Sequence, residues 1–463
     1  MFDKETYLQR RSALKAGVGS GVILLLGNEE SSMNYKDNVY PFRQDSSFLY
    51  FVGIDKPNVH FVVDIDNDEE VLFGDEATID EIIWIGRPTS VAELAANAGI
   101  SKVLPAAQIA HYLSNILSKQ RVVHYLPPYR GEHYLQISAW LNRPAAAIAT
   151  ATSEQLIRTV VGLRSIKSAL EIREIERAID VTADMQLAAM QQCRAGQTEA
   201  ELAGKLQAIA IAGGGNLSFP TILTTHGEVL HNHYGDNVIP SGATVLCDCG
   251  AETASHYGGD LTRTFPVDKT FTNRERELYE IVLNAQQSAA AALKPGKLFL
   301  DVHHLACEKL TEGLIALGIM KGDPKEAVAA GAHTLFFQCG LGHMMGLDIH
   351  DMENLGEQYV GYTDQLNKST EFGLKSLRLG RALEPGFVVT VEPGLYFIPV
   401  LTEMWAAGKK HDNFINYDKA LAFMDAGGTR IEEDFLVTET GARLLGKPLA
   451  ITVQEVESTR QAG

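Results

Sequence analysis

The sequence predicts an α+β protein in two parts: an α/β domain over residues 1–163 and a larger domain over 164–463, with strands at its centre. Three observations carry this expectation. At 463 residues the chain exceeds what one ordinary hydrophobic core organises. Its first third alternates short apolar runs with helical patterns, as layered α/β domains do. Beyond Arg164 that rhythm stops, long amphipathic patterns come first, and the apolar strand-like runs cluster after them.

The elements follow in order. "RRSALKAGVGSGVILLLGN" reads as a helix entering a buried strand. Arg10-Arg11 mimics a twin-arginine signal, but Asp3 and Glu5 precede it, the apolar run Val22–Leu26 is short, and no small-residue cleavage site follows. "GVILLLGN", "FVVDID", "EIIWIG" and "RVVHYL" read as strands, with "SVAELAANAGI" and "PAAQIAHYLSNILSK" as helices among them. "YPFRQDSSFLYFVGI" (40–54) reads as a buried polar turn. In the second part, Ile166, Leu170, Ile172, Ile175 and Ile179 recur at helical spacing and predict one long opening helix. Further helices are expected at 199–213, 272–293 and 299–318, the third of the four opening on a Thr272/Glu275 capping box. "TVLCDCGAE", "LTRTFPV", "FVVTVEPGLYF" and "DFLVTE" supply the strands.

Composition excludes several classes. A 45% hydrophobic, 21% charged chain is globular, and a net charge of −18 disfavours nucleic acid and anionic membranes as partners. No apolar run approaches the ~20 residues that span a bilayer. Five scattered cysteines argue against a disulfide framework and for a cytoplasmic, reducing compartment. Cys247-x-Cys249 lacks the second pair a zinc knuckle needs, so buried strand thiols are the better reading.

The chemistry concentrates in the second part. "CDCGAETASHYGGDLTRTF" sets Asp248 and Asp260 on facing strands, where like charges raise each other's pKa unless a cation separates them. "CGLGHMMGLDIHD" holds His343 and His350, "VVTVEPGLYF" presents Glu392, and "GGTRIEEDFLVTE" presents Glu432 beside Arg430. Each has an ordinary structural reading alone: a surface hairpin, a satisfied core histidine, a turn glutamate, a solvated acidic patch. Together they favour a divalent cation, because burying several carboxylates unpaired costs many kcal/mol. Hard oxygen donors with one imidazole suit Mn²⁺ or Mg²⁺ better than a thiolate-rich zinc site.

These segments, in this order, resemble the pita-bread metallopeptidases, and more narrowly aminopeptidase P and prolidase. "YPFRQDSSFLYFVGI" is similar to the aminopeptidase P N-terminal domain, so the resemblance covers nearly the whole chain. It implies a C-terminal pita-bread catalytic domain and two divalent ions, most simply Mn²⁺. Asp248 would hold one ion, Asp260 and Glu432 would bridge both, and His343 and Glu392 would complete the set, Glu392 also accepting the nucleophile's proton. His231, with His233 as a near alternative, and His350 would contact substrate, and Arg430 would orient a ligating carboxylate. Cys339 falls where the resembled family carries a substrate-facing histidine, and a thiol is the poorer donor. Asp248 and Asp260 stand one residue further apart than in that family, which predicts a bulge.

The implied activity is that of an Xaa-Pro aminopeptidase: hydroxide held by two metal ions cleaves a proline-containing peptide between its N-terminal residue and the following proline. An Xaa-Pro dipeptidase, which shares the ligands, is the alternative; a catalytically impaired pita-bread binding protein is a third reading. The resemblance also implies a homo-oligomer, dimer or tetramer.

Overall fold

A computed structural model describes residues 1–463, which divide into two compact units. One comprises 1–164 with 352–359, and the other 165–351 with 360–463.

In the first unit, α1 (Lys4–Val18) starts at Asp3, whose side chain accepts from Thr6 N, and buries Tyr7, Leu14 and Val18. It stops at Gly19, whose φ of 86° is left-handed, and leads into β1 (Val22–Leu26). The five-stranded sheet runs in the order β4-β3-β2-β1-β5, with β2 at His60–Asp64, β3 at Glu69–Phe73, β4 at Lys102–Leu104 and β5 at Val123–Tyr125. β1, β2 and β3 pair antiparallel, while β4 and β5 add in parallel at the two edges. Val22, Leu24, Val62 and Phe73 pack on Ile109, Leu113 and Ile137 from the helices that cover the sheet.

Two expectations fail here. "YPFRQDSSFLYFVGI" is no turn: Ser46–Val52 forms α2, buried along its whole length and capped by Asp45, which accepts from Phe48 N at 2.8 Å. Gln44 carries the polar burden ahead of it, accepting from the amides of Asn28 and Asp45. "EIIWIG" is not a strand but the end of α3 (Ile79–Ile85). A Thr78/Glu81 capping box starts that helix, and none of its residues is buried, so local capping overrides the β-branched run. The strands β3 and β4 were not anticipated.

The second unit opens later than the periodicity suggests. Ser168 and Glu171 form a capping box, so its long helix covers Ala169–Gln192 and Ile166 lies ahead of it, partly exposed. Ile175, Ile179, Met185 and Met190 form the buried stripe. Further long helices span Glu199–Ala212, Asn273–Ala292 and Phe299–Ala316, the second of these with the Thr272/Glu275 box in place. Their buried sides share a core with the strands, built from Leu206, Leu246, Phe265, Tyr279 and Leu310 among others. Two small sheets supply the centre: Leu261–Pro266, Thr244–Cys249 and Ile222–Thr224 in one, and Val388–Val391, Glu433–Val437 and Ala442–Leu444 in the other. A Thr262↔Glu432 bridge links them. The ladder from Cys249↔Leu261 to Thr244↔Pro266 is unbroken, so no bulge interrupts the paired strands.

Candidate active site

The four chain segments singled out by their acids and imidazoles meet at one cavity of about 270 Å³. Asp248 lies in the Thr244–Cys249 strand, opposite Thr262, and Asp260 immediately precedes the Leu261–Pro266 strand. Glu432 sits between Gly428–Arg430 and Glu433–Val437, its amide donating to Thr262 O at 3.1 Å. Glu392 follows the Val388–Val391 strand, its amide fixed on Leu341 O at 2.8 Å. His343 comes from a loop that lies against that strand, with its amide donating to Thr390 Oγ1. Gly342 permits this approach, because a Cβ there would stand 2.1 Å from Thr390 O.

Side-chain geometry is equally constrained. His343 Nδ1 donates to Met344 O at 3.1 Å, which leaves Nε2 as the lone-pair nitrogen. That Nε2 lies 3.6 Å from both Asp260 Oδ2 and Glu392 Oε1. Asp260, His343 and Glu432 each offer a ligand atom, all within 4.8 Å of one another. Arg430 braces the set from below: Nη2 donates to Asp248 Oδ2 at 2.5 Å, Nη1 to Tyr396 OH at 2.9 Å, and Nε to Thr262 Oγ1 at 3.2 Å. Thr262 in turn donates to Glu432 Oε2 at 2.7 Å. Asp434, behind the site, accepts from Asp260 N.

The electrostatics are unbalanced. Burial first, then the Glu432 and Asp248 charges, pushes the Asp260 carboxyl well above its usual range. Burial, then Glu392 and Asp248, does the same to Glu432. Glu392 is pushed up to about 7, burial outweighing the opposing pull of Arg430. Asp248 Oδ1 and Asp260 Oδ1 are buried and accept no hydrogen bond at all. Buried carboxylate oxygens without donors are costly, and hard oxygens with one imidazole match a divalent cation. The residues fit such an ion.

The remaining candidates surround this centre. His350 lines the cavity and packs its ring edge-on to His343, 4.5 Å between centroids. His231 lines it from an exposed position, and burial followed by the Arg430 charge lowers its pKa. His233 also lines it, with Nδ1 donating to Thr221 O at 3.3 Å. Cys339 forms part of the wall, its thiol pushed up to about 12 by burial and then by Glu392. Sequence reasoning missed Arg378 and the apolar wall of Phe219, Pro220, Ile222, Leu230 and Ile349. Nothing in those residues' spacing marks them, although Arg378 lies in the "SLRLGRALEPG" stretch, within the long segment after His350 expected to rim a cleft.

Known proteins resemble the chain along nearly its whole length. The profile of Metallopeptidase family M24 matches residues 173–439, and that of the Aminopeptidase P N-terminal domain matches 7–124. The Xaa-Pro aminopeptidase of Escherichia coli K12 is 30% identical over 471 residues, covering 98% of this chain and 97% of its own. A human Xaa-Pro dipeptidase is also 30% identical, over 97% of this chain and 90% of its own. A structure of an Escherichia coli aminopeptidase P variant in complex with substrate superposes with a TM-score of 0.81 at 29% identity, covering 100% of this chain and 99% of the other. The architecture is thus a pita-bread domain preceded by an α/β N-terminal domain, and no helix is long and apolar enough to cross a membrane. The chain belongs to metallopeptidase family M24 and is a metallo-exopeptidase.

Proposed function

We propose that this enzyme is an Xaa-Pro aminopeptidase that releases the residue ahead of an N-terminal-side proline, working with two divalent ions, Mn²⁺ by preference. The observation that carries the reading is the excess of buried carboxylate at one cavity, with two oxygens that accept no hydrogen bond. Asp248, Asp260, His343, Glu392 and Glu432 would hold the ions. Such ions supply Lewis acidity to the scissile carbonyl and make a water acidic enough to react near neutral pH. Arg430 keeps Asp248 in a single orientation through its three-way brace. Glu392 takes a proton from the attacking water at Oε1 and passes it to the proline nitrogen, which needs a proton to leave. The His350 imidazole donates to the carbonyl oxygen as its charge grows, and His231 holds the peptide at the mouth. The Phe219–Pro220 wall with Ile222 and Leu230 accepts the pyrrolidine ring and excludes water. Cys339, a weak donor, contributes less to substrate than an imidazole would.

A dipeptidase is the second reading, because the human Xaa-Pro dipeptidase matches at the same identity. Metal-stripped enzyme reloaded with Mn²⁺ and offered an Xaa-Pro dipeptide and an Xaa-Pro-Yaa tripeptide separates them. Faster cleavage of the tripeptide supports the aminopeptidase, and cleavage confined to the dipeptide replaces it with the dipeptidase. Failure of Mn²⁺ to restore turnover of either removes both.

A further inference from the structure

A second cluster of metal-binding side chains lies apart from the carboxylates. The helix Phe299–Ala316 carries His303 and Cys307 one turn apart, on the same face. The 3₁₀ turn Ala332–Leu335 brings His333 against them, and each of the three offers a ligand atom within 4.8 Å of the others. All are buried, at 2%, 0% and 7% exposure. His303 Nε2 stands 3.5 Å from Cys307 Sγ, while the Nδ1 atoms of His303 and His333 are buried without any hydrogen-bond partner.

Core packing explains only part of this. The His303 ring lies against Phe337, at 5.7 Å between centroids, so its burial is comfortable for carbon. Of its nitrogens, Nε2 meets only the weakly polar Cys307 thiol and Nδ1 meets nothing, so the imidazole forfeits most of the hydrogen bonding that water would give it. The charged and titratable groups that face the cluster are His304 and His411 toward the imidazoles, and Cys339 and Glu308 toward the thiol. None of them hydrogen-bonds to either ring. Burial keeps both imidazoles neutral, His303 lowered to about 3 and His333 to about 4, so each retains one ring lone pair at neutral pH.

We propose that His303, Cys307 and His333 form an independent site for a thiophilic d¹⁰ cation of the Zn²⁺ class, with a fourth position open to water. The spacing agrees with this ion: Zn–N near 2.0–2.1 Å and Zn–S near 2.3 Å at a tetrahedral angle put neighbouring N and S about 3.6 Å apart, against the 3.5 Å between His303 Nε2 and Cys307 Sγ. A thiolate with two imidazoles selects Zn²⁺ or Cu⁺ over the hard ions suited to the carboxylate cavity. On binding, the Cys307 thiol loses its proton to solvent and the S–metal bond forms, with no change of oxidation state. The ion ties the Phe299–Ala316 helix to the turn whose chain continues into Cys339 and His343.

The test uses the full-length chain, stripped with a chelator and reloaded with Co²⁺ or Zn²⁺. Co²⁺ should produce a thiolate-to-metal charge-transfer band that persists in Cys339→Ala and is lost in Cys307→Ala. Zn²⁺ bound at saturation should fall by one equivalent per chain in both Cys307→Ala and His333→Gln. His333→Gln keeps a polar side chain of similar length at a position with 7% exposure and decides by stoichiometry if Cys307→Ala folds poorly. No band in the unaltered protein, a band that survives Cys307→Ala or disappears with Cys339→Ala, or an unchanged Zn²⁺ count in His333→Gln overturns the site.

Discussion

Replacing Arg430 by lysine isolates the brace beneath the carboxylate cavity. Arg430 is 3% exposed, and its guanidinium donates separately to Asp248, Tyr396 and Thr262. Lysine keeps the positive charge, but a single ammonium on a flexible stem cannot span three acceptors arranged around a planar fork. If it stays on Asp248, the Tyr396 and Thr262 contacts go. Hydrogen bonds to a charged group contribute about 1.5–3 kcal/mol each, so the loss should be about 3–6 kcal/mol in the metal-free protein. Arg430→Met should cost more, because it also leaves Asp248 as a buried charge without its counter-ion, worth about 3–5 kcal/mol by itself. Loss of orientation at Asp248 should also weaken Mn²⁺ binding by about 10- to 100-fold, the usual effect of removing a residue that positions a ligand. Urea unfolding of the metal-free variants and calorimetric Mn²⁺ titration read the two effects separately. An Arg430→Lys protein within 1 kcal/mol of the parent, with unchanged Mn²⁺ affinity, would refute the brace as the element that sets Asp248.

Three other outcomes are expected. Cys339→His should raise turnover of an Xaa-Pro-Yaa tripeptide at least about tenfold, since a well-placed donor to a developing oxyanion contributes about 10²–10³ in rate; steady-state kcat measures it, and no gain would mean that the wall at 339 does not face the reacting carbonyl. His60 is buried edge-on to Trp140 and lowered to about 4 by burial, then by His133. Its folded pKa lies below its unfolded value, so the unfolded chain takes up the proton first: its contribution is intact above pH ~6.5 and is lost as pH falls toward 4. The loss reaches about 3 kcal/mol, and His60→Phe, which keeps the ring contact, should flatten the stability profile over that window in urea titrations at stepped pH. Lys167 and Asp351 pair at 2.8 Å with both side chains 1% exposed, so Lys167→Met should cost about 3–5 kcal/mol in urea unfolding. A cost under 1 kcal/mol would mean that water reaches Asp351.

Local signals in the chain were readable where they were self-contained. The Thr272/Glu275 capping box, the α1-to-β1 entry and the helices at 199–213 and 299–318 depend on neighbours within a few residues, and the structure forms them. The acids and imidazoles that line the cavity stood out for a related reason: a carboxylate or histidine set in an apolar strand context needs a compensating group wherever the strand ends up. "EIIWIG" failed because β-branched residues indicate strands only when they are buried, and the capping box at Thr78 left them helical and exposed. The 40–54 stretch failed for the opposite reason. Its polar residues cap a buried helix and satisfy neighbouring amides, a role that spacing does not reveal.

The sequence by itself determined the two-part α+β organisation and the chemical character of the residues available for catalysis, because residue type, periodicity and capping are local properties. Tertiary structure alone decided which of them meet. It brought Asp248, Asp260, His343, Glu392 and Glu432 into one cavity from separate segments, gave that cavity an apolar wall at Phe219 and Pro220, and set His333 against His303 and Cys307. Those juxtapositions depend on how sheets and helices pack over long sequence separations. They exist only once the core has excluded water and made an unpaired charge expensive.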